Sequence, residues 1–336
     1  MNRQTVLTGI TTTGIPHLGN YVGAIRPAIE ASRTAENNAY YFLADYHALV
    51  KNRDPRLLRE SSLAVAATWL ALGLDTANSV FYRQSDVPQI AELSWILSTV
   101  TAKGLMNRAH AYKAAVQENE DSGSRDPDKG ITMGLFSYPV LMAADILMFN
   151  AHQVPVGKDQ IQHVEMARDI AQRFNHIYGE VFVLPKAVVD ERAAILTGLD
   201  GRKMSKSYNN TIPLFLPAKQ LRKQIMKIKT NSLEPGEPKD PDDSTVFELF
   251  SAFADVAAAA EFRQELEAGL AWGDAKQRLF ECLDAQLAGP REEYRRLLED
   301  PSYVEATLVA GSSRACAAAA QTIDAVRQAV GISKLA

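Results

Sequence analysis

The chain has 336 residues, of which 46% are apolar and 23% charged, and its formal net charge is −4 at pH 7, values typical of a soluble globular protein. Its two cysteines, Cys282 and Cys316, form no CxxC pair, which excludes a zinc motif or a disulfide framework and predicts a reducing, cytoplasmic location. The N-terminus shows no signal-peptide pattern, and no apolar run approaches the length of a membrane span.

The first 84 residues alternate between strand-like and helix-like segments. Short apolar runs at 6–10, 40–43 and 80–82 are typical of buried parallel strands. Between them, 21–32 and 55–72 have helical character, the second with Asp54 as a candidate N-cap. Such alternation predicts βαβ units and an α/β fold with a doubly wound, Rossmann-type parallel sheet.

The rest of the chain changes character after residue 212. Before that point we predict helices at 88–116, 131–150 and 158–174, strands at 153–156 and 181–184, and a polar, mobile loop at 118–130. After it come a basic helix at 217–229, an irregular linker at 235–241 and Ala- and Leu-rich helices from Val246 onward. We therefore expect a catalytic domain at 1–212 and an all-helical domain at 213–336, whose last helix can pack back on the first domain.

Two polar motifs occur in the first of these domains. The stretch Lys203–Ser207 reads KMSKS and places two lysines three residues apart among small residues, which suits a mobile loop that closes on a triphosphate. The alternative for this stretch alone is a solvated basic loop. The second motif, His17–Asn20, lies at a strand-to-helix turn, where free helix amides and two side-chain donors favour phosphate binding.

Together the two motifs resemble the Lys-Met-Ser-Lys-Ser and His-x-Gly-His signatures of class I aminoacyl-tRNA synthetases. Asn20 stands at the last position of the second signature, as it often does in the tryptophanyl and tyrosyl branch. Segments 9–14 (GITTTG), 19–21 (GNY), 138–145 (YPVLMAAD) and 156–160 (VGKDQ) are similar to bacterial tryptophanyl-tRNA synthetases. The resemblance implies a ligase that activates tryptophan with ATP, releases pyrophosphate, and transfers the amino acid to tRNA(Trp).

In that reaction the substrate carboxylate is already a nucleophile at neutral pH, so catalysis needs positioning and cations on the pyrophosphate rather than a general base. The catalytic cations that we predict are Lys203, Lys206 and Lys113, the last with an exposed helix lysine as its alternative. The ATP-binding residues that the resemblance implies are Thr11, Thr12, Thr13, His17, Gly19, Asn20, Gly157, Lys158, Asp159, Ile195, Lys203, Met204, Ser205, Lys206 and Ser207. For Asp159 the alternative is an ordinary helix N-cap. Magnesium is expected to arrive with ATP, since the sequence shows no dedicated metal site.

The amino acid pocket is predicted around Tyr138, Met142 and Asp145, which are spaced to share one helix face. Indole offers an N–H donor and no acceptor, which matches an ionised carboxylate. In the tyrosyl branch a Gln stands where this chain has Met142, which favours tryptophan. The full set implied by the resemblance is Asp145, Met142, Tyr138, Gln160, His47, Leu7 and Val154. The alternative is a core helix in which Asp145 pairs internally.

The resemblance also implies a homodimer and anticodon recognition by the helical domain, with Arg222, Lys223, Lys227, Arg291, Arg295 and Arg296 as candidate RNA contacts. The alternative for most of these residues is a solvated helix face. Residues 201–229 contain eight basic side chains and no acidic one, which predicts a local anion site in an acidic protein. Three other functions stay open: a tyrosine enzyme, a small-metabolite nucleotidylyltransferase with a similar sheet, and a non-catalytic RNA-binding paralogue. Met142 argues against the first, and the intact lysine motif argues against the other two.

Overall fold

A parallel sheet organises the computed structural model, which describes residues 3–34, 36–189 and 196–333. Its strands are β1 (Thr5–Ile10), β2 (Asn38–Leu43), β3 (Ser79–Arg83), β4 (Gln153–Pro155) and β5 (Lys186–Val188). Their order is β3-β2-β1-β4-β5, and every pairing is parallel. The chain therefore starts in the middle, builds one side, and then crosses to the other. The predicted doubly wound sheet is confirmed, and its switch point lies beside β1, where such sheets bind ligands.

Helices cover the sheet and are the regular elements of the C-terminal part that the structure describes. They are α1 (Leu18–Asn20), α2 (Arg26–Ser32), α3 (Asp45–Ala48), α4 (Pro55–Ala71), α5 (Gln89–Val100), α6 (Lys103–Met106), α7 (His110–Asp121), α8 (Met133–Met148), α9 (Ile161–Tyr178), α10 (Ala218–Ile225), α11 (Thr245–Phe253), α12 (Val256–Glu267), α13 (Trp272–Glu299) and α14 (Ser302–Val330). A π-helical turn, Tyr21–Ile25, joins α1 to α2. Among the described residues, no helix combines the length and apolar character that a membrane crossing requires.

Most predicted elements are confirmed, including the cap of α4. The Asp54 carboxylate accepts hydrogen bonds from the amides of Arg56 and Leu57 at 2.9 and 3.2 Å, as an N-cap does. The polar loop predicted from residue 118 begins later, because α7 continues to Asp121. A hydrogen bond of 2.8 Å from the Gln117 side chain to Asp121, four residues on, supports that last turn.

The strand predicted at 181–184 is wrong. The amides of Val181 and Phe182 donate to the side-chain oxygen of Asn175 at 3.2 and 3.0 Å, and the amide of Val183 donates to Asn150 at 2.8 Å. These side chains take the place of a strand ladder, so the apolar run packs through Phe182 without pairing. The ladder forms a few residues later, at β5.

Three apolar clusters hold the elements together. The last helix, α14, lies along the edge strand β3, and its residues Ala315, Ala319, Ile323 and Val326 belong to the cluster on one face of the sheet. Gly311 permits this approach, because an added Cβ would lie 1.7 Å from the carbonyl oxygen of Phe81. Another cluster joins Leu18 and Met204 to α10, α11 and α13. Since this cluster contains residues from both sides of position 212, the domain boundary stays a prediction.

Candidate active site

The turn after β1 presents two neutral hydrogen-bond donors. His17 is the N-cap of α1: its amide donates to the Asn20 side-chain oxygen at 3.1 Å, and the Asn20 amide donates to His17 Nδ1 at 3.3 Å. Because Nδ1 accepts, the ring proton of neutral His17 is on Nε2. Burial, with Lys206 nearby, lowers the pKa of His17 to about 4. His17 Nε2 and the side-chain nitrogen of Asn20 are thus available as uncharged donors to a phosphate.

The Lys203–Ser207 loop is docked on this turn. The Sδ atom of Met204 accepts from the Gly19 amide at 3.4 Å, and Lys206 Nζ donates to the Thr13 carbonyl at 2.5 Å. Leu18 donates its amide to the Ile212 carbonyl at 3.0 Å. The expectation of free amides at the start of α1 is therefore wrong for this conformation. Since a thioether is a weak acceptor, a phosphate can replace the hydrogen bond of the Gly19 amide more easily than those of the Leu18 and Asn20 amides.

The two lysines of the loop differ in their surroundings. Lys203 is exposed, and its backbone forms an isolated antiparallel bridge with Thr197. The ammonium of Lys206 lies against the backbone after β1, and this desolvation lowers the pKa of Lys206. Gly14 makes the contact possible: its φ is +68°, and a Cβ there would meet Lys206 Nζ at 3.1 Å. Lys206 is therefore held ready beside the phosphate-binding turn.

Asn210, which the sequence reasoning missed, fixes the loop. It is 2% exposed, and its side-chain oxygen accepts from the Ser205 amide at 2.8 Å. Its amide nitrogen donates to Asp200 and to the Lys203 carbonyl at 2.7 and 3.0 Å. The hydroxyls of Ser205 and Ser207 are 2.8 Å apart. One buried side chain thus binds the backbone of the motif at Lys203 and at Ser205.

A hydrogen-bonded row connects the two predicted ligand sets. The Tyr138 hydroxyl lies 2.6 Å from His163 Nε2, and His163 Nδ1 lies 2.9 Å from the side-chain oxygen of Gln160. The Gln160 amide nitrogen in turn donates to Asp159 at 2.9 Å. Burial lowers the pKa of His163, so its neutral ring donates from Nδ1 to Gln160 and accepts from Tyr138. His163, also missed from the sequence, therefore orients Gln160, and Asp159 does not cap α9, whose N-cap is Gln160.

Asp145 is completely buried on α8 and paired with two donors. His47 Nε2 lies 2.8 Å from one carboxylate oxygen, and the Gln84 amide nitrogen donates to both oxygens at 2.8 and 3.0 Å. Burial raises the pKa of Asp145, and the hydrogen bonds from His47 and Gln84 oppose that rise. A carboxylate offers about four acceptor positions, of which these contacts use three. One position is left for a further N–H donor.

The orientation of Gln84 follows from its other contact. Its side-chain oxygen accepts from the Tyr46 amide at 3.1 Å, which turns the amide nitrogen toward Asp145. Sequence reasoning missed Gln84, although a signal existed. His47 follows β2 and Gln84 follows β3, so both lie at the carboxyl edge of the sheet where ligands bind.

The other predicted residues occupy varied positions. Leu7 and Val154 are buried in the core at 1% and 3% exposure, whereas Met142 is half-buried on α8. Lys113 is exposed on α7, and its side chain forms no hydrogen bond or ion pair with a described residue. Ile195 lies outside the described residues. Thr11 is exposed, whereas the hydroxyl of Thr12 is buried without a partner among the described residues.

A cavity of about 540 Å³ opens beside Tyr138, between α3, α5 and α8. Its wall includes Leu49, Val50, Ser94 and Leu141, and Tyr138 is its link to the predicted pocket. The residues that the structure describes contain no group of three or more His, Cys, Asp or Glu side chains that could hold a metal ion.

Comparison with known proteins agrees with this geometry. The family model described as "tRNA synthetases class I (W and Y)" matches residues 1–288. The Tryptophan--tRNA ligase of Pseudomonas aeruginosa is 62% identical over 333 residues, which are 98% of this chain and 74% of that protein. The one from Neisseria meningitidis is 58% identical over 335 residues, covering 100% of both chains. The crystal structure of tryptophanyl-tRNA synthetase from Campylobacter jejuni, complexed with ADP and tryptophan, superposes with a TM-score of 0.89 at 42% identity and covers 98% of this chain and 100% of that one.

Proposed function

The chain belongs to the class I tRNA synthetases of the tryptophan and tyrosine branch, and we propose that it acts in this family as a tryptophan–tRNA ligase. It activates L-tryptophan with ATP and then esterifies the 3′ end of tRNA(Trp). The observation that carries the choice of amino acid is Asp145, a fully buried carboxylate that His47 and Gln84 hold in place with one acceptor position unused.

At the ATP end, the first step is attack of the tryptophan carboxylate oxygen on the α-phosphorus. The bond from that phosphorus to the bridging oxygen breaks, and pyrophosphate leaves with the electron pair. His17, Asn20 and the Gly19 amide donate to phosphate oxygens, with Gly19 released by Met204. Lys206 leaves the Thr13 carbonyl and binds the pyrophosphate as negative charge accumulates there, so its contact strengthens in the transition state. The exposed Lys203 joins it from the same loop.

At the tryptophan end, the indole N–H donates to the free position on Asp145, and Met142 lies against the ring. Gln160, oriented by His163, contacts the amino acid, while the neighbouring Asp159 accepts from the ribose of ATP. Because a site that hydrogen-bonds a substrate N–H is left unsatisfied by an analogue without one, it rejects that analogue by roughly 10⁴-fold or more. This discrimination requires no separate editing site.

We also propose that two copies associate through the surface around the 540 Å³ cavity. Leu49 lines it and is 55% exposed, and Trp95 and Met133, which are chain neighbours of the lining residues Ser94 and Gly134, are 73% exposed. Large apolar side chains that are exposed together around one cavity typically mark an interface between proteins. Sedimentation velocity should give the mass of a dimer for the unmodified protein and of a monomer for Trp95→Glu. A monomer in both cases would contradict this assignment.

Residues 213–336 supply the tRNA-binding helices in this proposal, and magnesium enters with ATP, bound by the phosphates. The half-buried thiols Cys282 and Cys316 are both free, which suits a reducing cytoplasm.

The test is ATP–pyrophosphate exchange with purified protein and no tRNA, using tryptophan, tyrosine or phenylalanine in turn. Exchange that depends on tryptophan alone is the expected result. Exchange with tyrosine would keep the reaction but refute the role of Asp145, and no exchange with any of the three would refute the ligase assignment.

A further inference from the structure

The short helix α10 has a sharply divided surface. Leu221 and Ile225 are completely buried in the apolar cluster that holds Met204. On the opposite side, Lys219, Lys223 and Lys227 are exposed at intervals of four residues, with Lys227 in the turn that follows the helix. Lys219 and Lys223 are four residues apart on the helix and are therefore neighbours, and Lys227 follows in the next turn; we call these three side chains the lysine row.

The charges of the lysine row are not compensated. None of the three forms an ion pair with a described residue, and the segment from 201 to 229 contains no acidic side chain. Like charges four residues apart oppose helix formation. The long helix α13 follows the opposite rule: Arg295 pairs with Glu292 and Arg296 with Glu293, each at 2.6 Å. A helix face with uncompensated like charges typically marks a functional surface, and the ligand that suits three ammonium groups is an anion.

The position of the lysine row indicates which anion it binds. The chain leaves α10 and returns to the base of the catalytic loop, where the Lys229 amide donates to the Leu199 carbonyl at 2.8 Å. Leu199 in turn donates its amide to the carbonyl of Asn210, the residue that fixes the loop. Arg222, beside the lysine row, is held against α13 through Gln277 at 2.8 Å. The lysine row is thus connected to the base of the Lys203–Ser207 loop, which in the proposed ligase lies beside the reacting groups that the 3′ end of tRNA has to reach.

We propose that the lysine row binds phosphates of the acceptor arm of tRNA. This inference rests on the proposed ligase function and assigns a partner to α10 that differs from the sequence-based expectation, in which Lys223 and Lys227 served anticodon recognition. Ammonium groups bind phosphates as point charges without reading bases, so the row positions the acceptor end and contributes no sequence specificity.

The test compares two variants that each remove two positive charges. Lys223→Gln/Lys227→Gln removes two members of the lysine row, whereas Arg263→Gln/Arg327→Gln removes two cations that are already paired, with Asp242 at 2.5 Å and with Glu92 at 2.6 Å. Steady-state aminoacylation should show a KM for tRNA about tenfold higher in the first variant and within about twofold of the unmodified protein in the second. Exchange of pyrophosphate needs no tRNA and should be equal in all three proteins. Its absence from the unmodified protein would refute the ligase function itself, separately from this proposal.

Salt dependence gives a second readout. Each phosphate contact contributes roughly 0.7–0.9 to the slope of log affinity against log salt, so the loss of two flattens the slope by about 1.4–1.8. Between 50 and 200 mM salt, the affinity of the unmodified protein should then fall about 7- to 12-fold more than that of the lysine variant.

A minihelix that contains only the acceptor arm locates the contact. The lysine variant should lose affinity for the minihelix as much as for full-length tRNA. An unchanged KM and slope, or an equal loss in the arginine variant, would overturn the proposal. A loss seen with full-length tRNA but not with the minihelix would overturn the assignment to the acceptor arm.

Discussion

Replacement of Gln84 by Leu tests whether Asp145 is kept ionised by its neighbours. The change removes a donor that lies 2.8 and 3.0 Å from the two carboxylate oxygens in a site that water does not reach. Hydrogen bonds to charged groups contribute about 1.5–3 kcal/mol, and Leu nearly preserves the volume, so we expect a loss of about 2–3 kcal/mol in unfolding free energy at neutral pH. The Tyr46 amide, which also donates to Asp45 at 3.0 Å, stays satisfied. The effect should therefore arise at Asp145.

The loss should depend on pH with a definite sign. Burial already raises the folded-state pKa of Asp145, and removal of Gln84 raises it further. The folded variant then binds a proton at Asp145 more readily than the folded unmodified protein does. The difference in unfolding free energy between the two proteins is therefore small at a pH where Asp145 is protonated in both. It grows as pH rises through the folded-state pKa values of Asp145 in the two proteins. The same reasoning predicts a lower kcat/KM for tryptophan at pH 7 that recovers at higher pH.

Urea unfolding from pH 4.5 to 8 and pyrophosphate exchange over the neutral range provide the measurements. Gln89→Leu is the matched control, because the side-chain oxygen of Gln89 is buried without a partner among the described residues. It should show neither the stability loss nor the pH dependence. A Gln84 variant whose stability matched the unmodified protein within about 0.5 kcal/mol at pH 7.5, or whose loss did not change with pH, would refute the reasoning.

Three further changes have clear expectations. Lys206→Ala removes a preorganised cation from the pyrophosphate and should lower the kcat of exchange about 10²–10³-fold with little change in the KM for tryptophan; a drop of less than about threefold would contradict that role. Folding lowers the pKa of His17 from 6.5 to about 4, so between these pH values the unfolded state binds more protons than the folded state. The stability of the unmodified protein relative to His17→Gln should therefore decrease by about 3 kcal/mol as pH falls from 6.5 to 4. A difference in stability that does not change over this range would mean that His17 titrates normally. Gly311→Ala places a Cβ 1.7 Å from a backbone oxygen of β3 and should destabilise the protein by about 3 kcal/mol. Gly273→Ala is the control, because its Cβ on α13 meets no atom within 4 Å, and it should stabilise the protein by about 0.5 kcal/mol. Equal denaturation midpoints for the two variants would exclude the close approach of α14 to β3.

The features that could be predicted from the sequence are those that depend on residues close together in the chain. The apolar runs of β1, β2 and β3 are short and alternate with longer helix-like segments, and this local pattern predicts strands. Asp54 caps α4 through neighbours two and three residues away, which a local pattern can predict. The lysine motif and the His17 turn could be found because each lies within five residues.

What the sequence could not predict depends on long-range contacts. Gln84 and His47 meet Asp145 across 61 and 98 positions, and Met204 meets Gly19 across 185, so no spacing rule connects them. The free amides expected at α1 were a local inference that a distant loop overrides. The misplaced strand at 181–184 has the same cause, because two Asn side chains from other elements satisfy its backbone.

Recognition of the indole N–H of tryptophan by Asp145 is the step on which the proposed specificity depends. The most direct test measures kcat/KM for tryptophan and for the analogue with sulfur in place of the indole N–H, β-(benzothiophen-3-yl)alanine, by pyrophosphate exchange in the unmodified protein and in Asp145→Ala. We expect a preference for tryptophan of roughly 10⁴-fold in the unmodified protein that falls to within about tenfold in the variant. A similar preference in both proteins would show that another group recognises the substrate.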